Sequence, residues 1–359
     1  MMKSAKKLIP AILIGHRDDG DKKFNIGGAL ARRSVSKGYN LIGIGTSRYV
    51  ILPDKSIITL KRPGDVRELL SILDAECGKP EMVFEAMPPM ERGQKALKCK
   101  LHYLEHGIPV SSAEKRAVAF NAPKLVPYLP ILGFNAMVGG NSRVLSESRE
   151  RRIRHEKVKV LMVINGTVNF DLTEVQDCHG LANACATART LGYAEPDDGK
   201  GDGPHKQFGG EIYGDVPSKV AVYYNLVCVG ESGPFITPDV IKVKKFTARD
   251  LRRYTDGKFR NRYFVEFCND ASERPRFDGK APGSFLLKTG DWVISGGFEN
   301  VPRGTSLGDW APNGVENGML IEYLAGHNDP VRLAAAGAGS GPTTDTLFQD
   351  AAALLKLPY

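Results

Sequence analysis

"LIGHRDDGDKKFNIGGALARR", residues 13–33, opens as an apolar strand, closes as a helix entered through glycines, and carries a run of charges in between. Strand, turn and helix in that order form the first unit of a nucleotide-binding sheet, whose glycines make the turn, let the backbone meet a pyrophosphate and pack the helix. Gly27 suits the last of these roles, but Lys22 and Phe24 stand at the first two places, so the fingerprint fails as written. A second alignment takes Gly15 as the turn glycine and His16 to Asn25 as an enlarged loop. In that loop Arg17, Lys22 and Lys23 attract an anion, while Asp18, Asp19 and Asp21 repel one unless they turn outward. The helix that begins near Asn25 still presents N–H groups.

The pattern continues outward from this stretch. Apolar runs at Ile9 to Ile14, Leu41 to Gly45, Met82 to Met87 and Ile108 to Ser112 alternate with amphipathic segments at Gly27 to Ser36, Asp65 to Cys77 and Arg92 to His106, and Gly38 and Gly78 follow the first two helices. Alternation of this kind predicts right-handed crossovers and a Rossmann-like, doubly wound parallel sheet. Ligands bind such a sheet at the carboxyl ends of its strands, which makes Met87 and Ser112 candidate cofactor contacts. After the second strand, "GIGTSRYV" offers no acid to hold a ribose hydroxyl, whereas Ser47 and Arg48 suit a 2′-phosphate. NADP is therefore expected ahead of NAD, which stays possible.

Composition narrows the class. At 359 residues with 42% hydrophobic content, the chain can build two cores. It shows no apolar leader and no uninterrupted apolar run of membrane-spanning length, so a cytoplasmic protein without membrane contact is expected. Its 49 basic against 41 acidic residues fit an anionic small molecule as well as a nucleic acid. The densest basic run, "RERRIRHEKVK" (149–159), is interleaved with glutamates, reads as a solvated helix face, and argues against nucleic acid as a partner. The six cysteines never form a CxxC pair and read as reduced thiols.

From about residue 131 the character changes. "GFNAMVGG" and "VKVLMVING" read as strands, "LANACATARTLG" and "VPSKVAVYYNLVCVG" as helices, and "RNRYFVEFCND", "SFLLKTGDWVISGG" and "GMLIEYLAG" as longer strands. These predict an α+β second domain over 131–330 with a mixed or antiparallel sheet, and a dinucleotide-binding domain made of 1–130 with 331–359. Thr343 to Leu355 reads as a closing helix. "DDGKGDGPHKQFGGEIYG" (197–214), with six glycines, reads equally as a mobile loop over a site and as a disordered surface insertion.

Three places could carry chemistry. Asp215 and Lys219 stand four apart at the mouth of an apolar helix, where a partly desolvated pair can shift its proton affinities. Lys115 follows the fourth strand at the carboxyl edge of the sheet. Asn165, Gly166 and Thr167 join a strand to a helix, where Gly166 permits close approach and Thr167 can cap the helix and donate to a carboxylate.

In this order the pieces resemble homoserine dehydrogenase. "PVSSAEKRAVA" is similar to the family's strand and lysine, with Glu114 where the family usually has asparagine. "GFNAMVGG", "VINGTVNF", "LGYAEPD", "GDVPSK" and "AAAGAGSGPTTDTLFQD" are similar to its Gly-Gly segment, Asn-Gly-Thr turn, Tyr-Ala-Glu-Pro-Asp stretch, Asp-x-x-x-Lys pair and closing Gly-Ala-Gly turn. The resemblance implies hydride transfer between a nicotinamide and aspartate 4-semialdehyde or homoserine. It implies Lys219 and Lys115 at the reacting oxygen, Asp215 orienting Lys219 or the substrate amine, and Glu195 on the substrate ammonium. Gly166 with Thr167 would take the carboxylate, Gly339 would lie at the cofactor, and the chain would form a homodimer. The family's alkali-ion site would fall at Val138, Gly140 and Ser142, but Asn135 replaces its glutamate, so no metal is expected. The glycine insertion leaves open a related oxidoreductase for another small aldehyde or hydroxy acid. The broken fingerprint leaves open a relative that binds without cofactor.

Overall fold

The computed structural model describes residues 7–15, 25–177, 179–194, 206–230, 233–251, 258–326 and 328–357. They form two compact units, Met1–Met137 with Thr343–Tyr359, and Val138–Pro342.

The first unit is built on β1 (Ile9–Ile14), β2 (Tyr39–Gly45), β3 (Tyr49–Ile51), β4 (Ile57–Thr59), β5 (Met82–Glu85), β6 (Val110–Ser112) and β7 (Leu132–Gly133). Their order is β4-β3-β2-β1-β5-β6-β7. β2, β1, β5, β6 and β7 run parallel, the expected doubly wound core. β3 and β4 extend the β2 edge as an antiparallel pair that the helix-strand alternation does not announce. β1 lies at the centre, where both faces are covered, and this is why Ala11 through Ile14 are apolar without alternation.

Helices α1 (Ile26–Arg33), α2 (Val66–Glu76), α3 (Gln94–Leu104) and α4 (Arg116–Leu125) flank the sheet. α2 shows how the sequence specifies one of them. The Asp65 carboxylate accepts the N–H groups of Arg67 and Glu68 at its start, and Val66, Leu69, Leu70 and Leu73 form its buried stripe. The C-terminal helix, Ser340–Leu354, sends Leu347, Phe348 and Ala351 into the core around β1 and β5. There the Phe348 ring lies 5.2 Å from Phe84 and 5.8 Å from Tyr39.

The second unit carries β8 (Val158–Val163), β9 (Phe259–Cys268), β10 (Phe285–Thr289), β11 (Trp292–Pro302), β12 (Glu316–Tyr323) and β13 (Val331–Ala336) in the order β10-β11-β9-β8-β12-β13. Every neighbouring pair is antiparallel, so of the two expected arrangements, mixed or antiparallel, the sheet takes the second. Its helices are α5 (Val144–Glu150), α6 (Gly166–Gln176), α7 (Leu181–Leu191), α8 (Lys206–Gly210), α9 (Val216–Tyr223), α10 (Ala248–Leu251) and α11 (Ser306–Trp310). Leu161, Val163, Phe264, Val301, Ala311 and Leu320 form a core beneath Phe277, Leu307 and Trp310.

Two further expectations change. β13 pairs with β12, so 331–336 belongs to the second sheet and the chain rejoins the first unit only at Thr343. "GFNAMVGG" is mostly not a strand: after Gly133 it turns through short 3-10 segments at Asn135–Met137 and Gly140–Ser142. Asn135 leaves the sheet to bind Asp350, through its N–H at 2.9 Å and its side-chain amide at 2.6 Å. The run 149–159 is likewise not one helix, because α5 stops at Glu150 and β8 begins at Val158, with Arg151, Arg152, Arg154 and Lys157 exposed between. Among the described residues no helix is long and apolar enough to cross a membrane.

Candidate functional site

In the first unit a cavity of about 230 Å³ opens where β1, β2 and β5 end. β1 is the strand from which the chain winds outward in both directions, and such a switch point is where open α/β sheets take ligands. Ile14 and Gly15, Thr46 and Ser47, and Met87 line the cavity from the strand ends, with Leu60, Val66 and Leu69 opposite. Gly15 has a left-handed backbone (φ 100°), and a Cβ there would fall 2.4 Å from the carbonyl carbon of Ala86. Its requirement for glycine therefore comes from the close passage of the backbone at Ala86 and Met87, just past β5.

The turn after β2 is fixed by Thr46, whose hydroxyl accepts the N–H groups of Arg48 and Tyr49 at 3.0 and 2.9 Å. It presents Ser47 to the cavity, with the exposed Arg48 beside it. Two polar lining residues escaped the sequence reading. Asp65 lines the cavity from the N-cap of α2, and Lys95 comes from the first turn of α3. Gly27 is buried in α1, whose cap is Asn25 accepting the N–H of Gly28 at 2.7 Å. Of the expected phosphate loop, His16 to Asn25, all but Asn25 lies outside the described residues. Ser112 donates to Glu85 at 2.6 Å, and Lys115 is buried at the entry of α4.

In the second unit one continuous helical rod runs from α8 through a π-helical turn, Glu211–Asp215, into α9 and a second such turn, Tyr224–Cys228. Turns of that kind are frequent at functional sites. Lys219 Nζ lies 2.8 Å from Asp215 Oδ2, so the predicted i,i+4 pair is present, with little solvent exposure on either side chain. Asn165 joins it from the entry of α6. Its side-chain oxygen accepts the N–H of Val168 at 2.8 Å, and its amide donates to Asp215 Oδ2 and Glu211 Oε2, both at 2.8 Å. The result is a buried constellation of one ammonium, two carboxylates and the amide that holds them apart.

Several expectations are revised at this turn. Asn165, not Thr167, caps α6, because the Thr167 hydroxyl donates to the Tyr193 carbonyl at 2.8 Å. The space beside Gly166 is filled by protein, with the Val315 carbonyl oxygen 2.6 Å from where a Cβ would stand. Helix geometry nonetheless leaves the N–H groups of Gly166 and Thr167 without acceptors inside α6. Glu195 lies outside the described residues, as do 197–205 of the expected glycine loop. The rest of that stretch is helical and carries Glu211, which sequence reasoning missed. The signal was available, since Glu211, Asp215 and Lys219 recur every four residues, but six glycines obscured it. Buried Phe208 and Ile212 explain why this part folds as a helix, with Phe208 meeting Phe246 and Phe298.

Gly339 has φ 99° in the turn before the C-terminal helix, with Tyr193 ring atoms 3.7 Å from a virtual Cβ. Val138, Gly140 and Ser142 form a tight turn closed by the Ser142 hydroxyl on the Gly139 carbonyl at 2.7 Å. Among the described residues no group of three or more His, Cys, Asp or Glu side chains gathers to hold a metal ion. Cys77, Cys99, Cys185, Cys228 and Cys268 are free and buried, and Cys178 lies outside the described residues.

No family model matches the chain, and no curated protein does. Solved structures do. A homoserine dehydrogenase from Thermoplasma acidophilum superposes with a TM-score of 0.63 at 16% identity, over 98% of this chain and 100% of that one. A hyperthermophilic archaeal homoserine dehydrogenase in complex with NADPH gives 0.62 at 18%, over 98% of each chain. A Candida auris protein of unknown function gives 0.63 at 13%, over 98% of this chain and 99% of that one. The two-unit architecture, a Rossmann-like sheet and an antiparallel sheet, is thus the homoserine dehydrogenase fold.

Proposed function

We propose that this chain is a nicotinamide-dependent homoserine dehydrogenase, interconverting homoserine and aspartate 4-semialdehyde with NADP preferred. The observation that carries the reading is the Asn165, Glu211, Asp215 and Lys219 constellation. An amino-acid substrate needs anionic groups for its ammonium and N–H groups for its carboxylate. Glu211 and Glu195 supply the first, and Gly166 with Thr167 at the start of α6 the second.

The cavity of the first unit fits the adenosine end of a dinucleotide. Its apolar wall of Leu60, Val66 and Leu69 suits a flat base, while Ser47 and Lys95 suit a ribose or phosphate. Arg48 would add a second cation for a 2′-phosphate, and Gly15, Met87, Ser112 and Gly339 would lie along the remainder. When bound, the cofactor supplies or accepts a hydride at the substrate carbon. The chain's task is then the proton and the charge on oxygen. As the neutral amine Lys219 takes the hydroxyl proton during oxidation, and as the ammonium it returns that proton during reduction, while Asp215 fixes Lys219 and Lys115 supplies a cation against the developing alkoxide.

Homoserine oxidation assayed with both cofactors tests the reading. Lys219→Ala should lower turnover about a thousandfold, with NADPH affinity by calorimetry within about twofold. An unchanged rate would remove Lys219 from the chemistry. No heat with millimolar NADPH would leave only a cofactor-free binding protein, and turnover of another alcohol but not homoserine would favour the related-substrate reading. Asp65 and Arg48 are set against each other in cofactor choice. Arg48→Ala should raise the KM for NADP about tenfold or more while sparing NAD, the cost of one charge-assisted hydrogen bond. Asp65→Asn, which retains a capping side chain, should spare NADP and weaken NAD. Equal losses for both cofactors in either variant would end that assignment. The homodimer reading predicts a light-scattering mass twice that of the chain.

A further inference from the structure

Glu85 at the end of β5, Glu114 two residues past β6 and Lys100 within α3 meet inside the first unit. Lys100 Nζ stands 2.7 Å from Glu85 Oε2 and 3.3 Å from Glu114 Oε2, and no side chain of the three is more than 1% exposed. Burying three ions is unfavourable before pairing, and apolar residues of the same volume would avoid that cost. The other contacts of the carboxylates show what the cluster holds. Glu85 accepts the Met87 N–H at 2.7 Å and the Ser112 hydroxyl at 2.6 Å. Glu114 accepts the N–H groups of Arg116 at 2.7 Å and Ala117 at 2.9 Å, the first turn of α4.

Lys115 lies within this clamped span. Ser112 and Glu114 hold the chain before it, and the captured amides of 116 and 117 hold it after. The helix carrying Lys100 presses on the same place: Gly93, left-handed at φ 70°, precedes α3 so closely to α4 that a Cβ would fall 2.2 Å from the Ala117 nitrogen. Burial opposes the charge on Lys100, but Glu85 and Glu114 outweigh it and raise its pKa above the ordinary lysine value. The ammonium is therefore retained throughout the neutral range. An asparagine at 114 could cap α4 but could not be a counter-ion to Lys100.

We propose that Lys100 is a positioning residue, which through Glu85 and Glu114 fixes the backbone on both sides of Lys115 and so sets where that ammonium stands at the carboxyl edge of the sheet. The effect on rate rests on the oxidoreductase reading above; the effect on Lys115 itself does not.

The test compares the full-length protein with Lys100→Met, Lys100→Arg and Glu114→Gln. It measures homoserine oxidation across pH and, separately, the rate at which trace acetic anhydride acetylates Lys115 and Lys219, read by mass spectrometry. Lys100→Met should lower kcat about a hundredfold, the scale of a misplacement of about 1 Å. The KM values should stay within about threefold, with the pH profile of kcat displaced. Acetylation of Lys115 should change at least about threefold while that of Lys219 does not, and Lys100→Arg should recover part of both losses. An unchanged kcat in an active enzyme, or equal acetylation changes at Lys115 and Lys219, would overturn the proposal. If the wild-type chain does not turn over homoserine, the functional reading fails and Lys115 acetylation alone decides, with no change as the refuting result. If Lys100→Met does not fold, Glu114→Gln, which keeps the Lys100–Glu85 pair, carries the same comparison.

Discussion

Asp171 is fully buried on α6. Its Oδ2 accepts from the Cys185 thiol at 3.5 Å, and its Oδ1 has no hydrogen-bond partner among the described residues. Burial raises its pKa to about 7. Between about pH 4, where an unfolded aspartate ionises, and pH 7, the folded chain therefore keeps a proton that the unfolded chain has released. The stability this carboxyl contributes is greatest below that window, falls as pH rises through it, and levels off above. Asp171→Asn should flatten this part of the curve. Urea unfolding at pH 4 and pH 8 should show the wild type losing on the order of 2–4 kcal/mol relative to the variant, and parallel curves would show that Asp171 ionises normally. The contrast with Asp215 is instructive at this scale. Asp215 and Lys219 were legible from their spacing because a helix brings i and i+4 together whatever surrounds it. Nothing in the letters distinguishes Asp171 as a protonated carboxyl, since its proton affinity is set by packing.

The entry of α6 shows how one element assembles a site. Asn165 closes the helix N-terminus and, with the other end of the same amide group, binds two carboxylates from the neighbouring rod. Asn165→Ala removes a cap, about 1 kcal/mol, and takes away the amide that donates to both Glu211 and Asp215. Asn165→Asp keeps a good cap but sets three carboxylates together, so its melting temperature should fall below that of Asn165→Ala at pH 8 and recover at pH 5 as a proton is taken up. Identical pH dependence for the two variants would show that the amide serves only as a cap. Segments with a continuous apolar run or a regular apolar repeat, such as β1, α2 and β9, were readable almost to the residue. "GFNAMVGG" was not, because Asp350, more than two hundred positions away, draws Asn135 out of the sheet. The edge pair β3–β4 was also missed, since three-residue strands carry too little periodicity to register.

At the scale of the molecule, each unit closes its own core: Tyr39, Phe84 and Phe348 in one, Phe264, Leu161 and Leu320 in the other. Phe348→Ala should cost about 3–5 kcal/mol. It should lower hydrogen-exchange protection in β1 and β5 while sparing β8 and β9; equal loss in both sheets would show a single cooperative unit. The sequence by itself determined the class of each sheet's surroundings, the central buried strand, most helices and the Asp215–Lys219 pair, because those depend on periodicity within a few turns of chain. Only the tertiary structure decided that the second sheet is wholly antiparallel, that 331–336 belongs to it, and that Asp65 turns into the cavity. It alone joined Asn165 to Glu211 and Lys100 to Glu85 and Glu114. Contacts between residues far apart in the chain leave no local pattern, since what selects them is the burial of charge and the filling of space after the chain has folded.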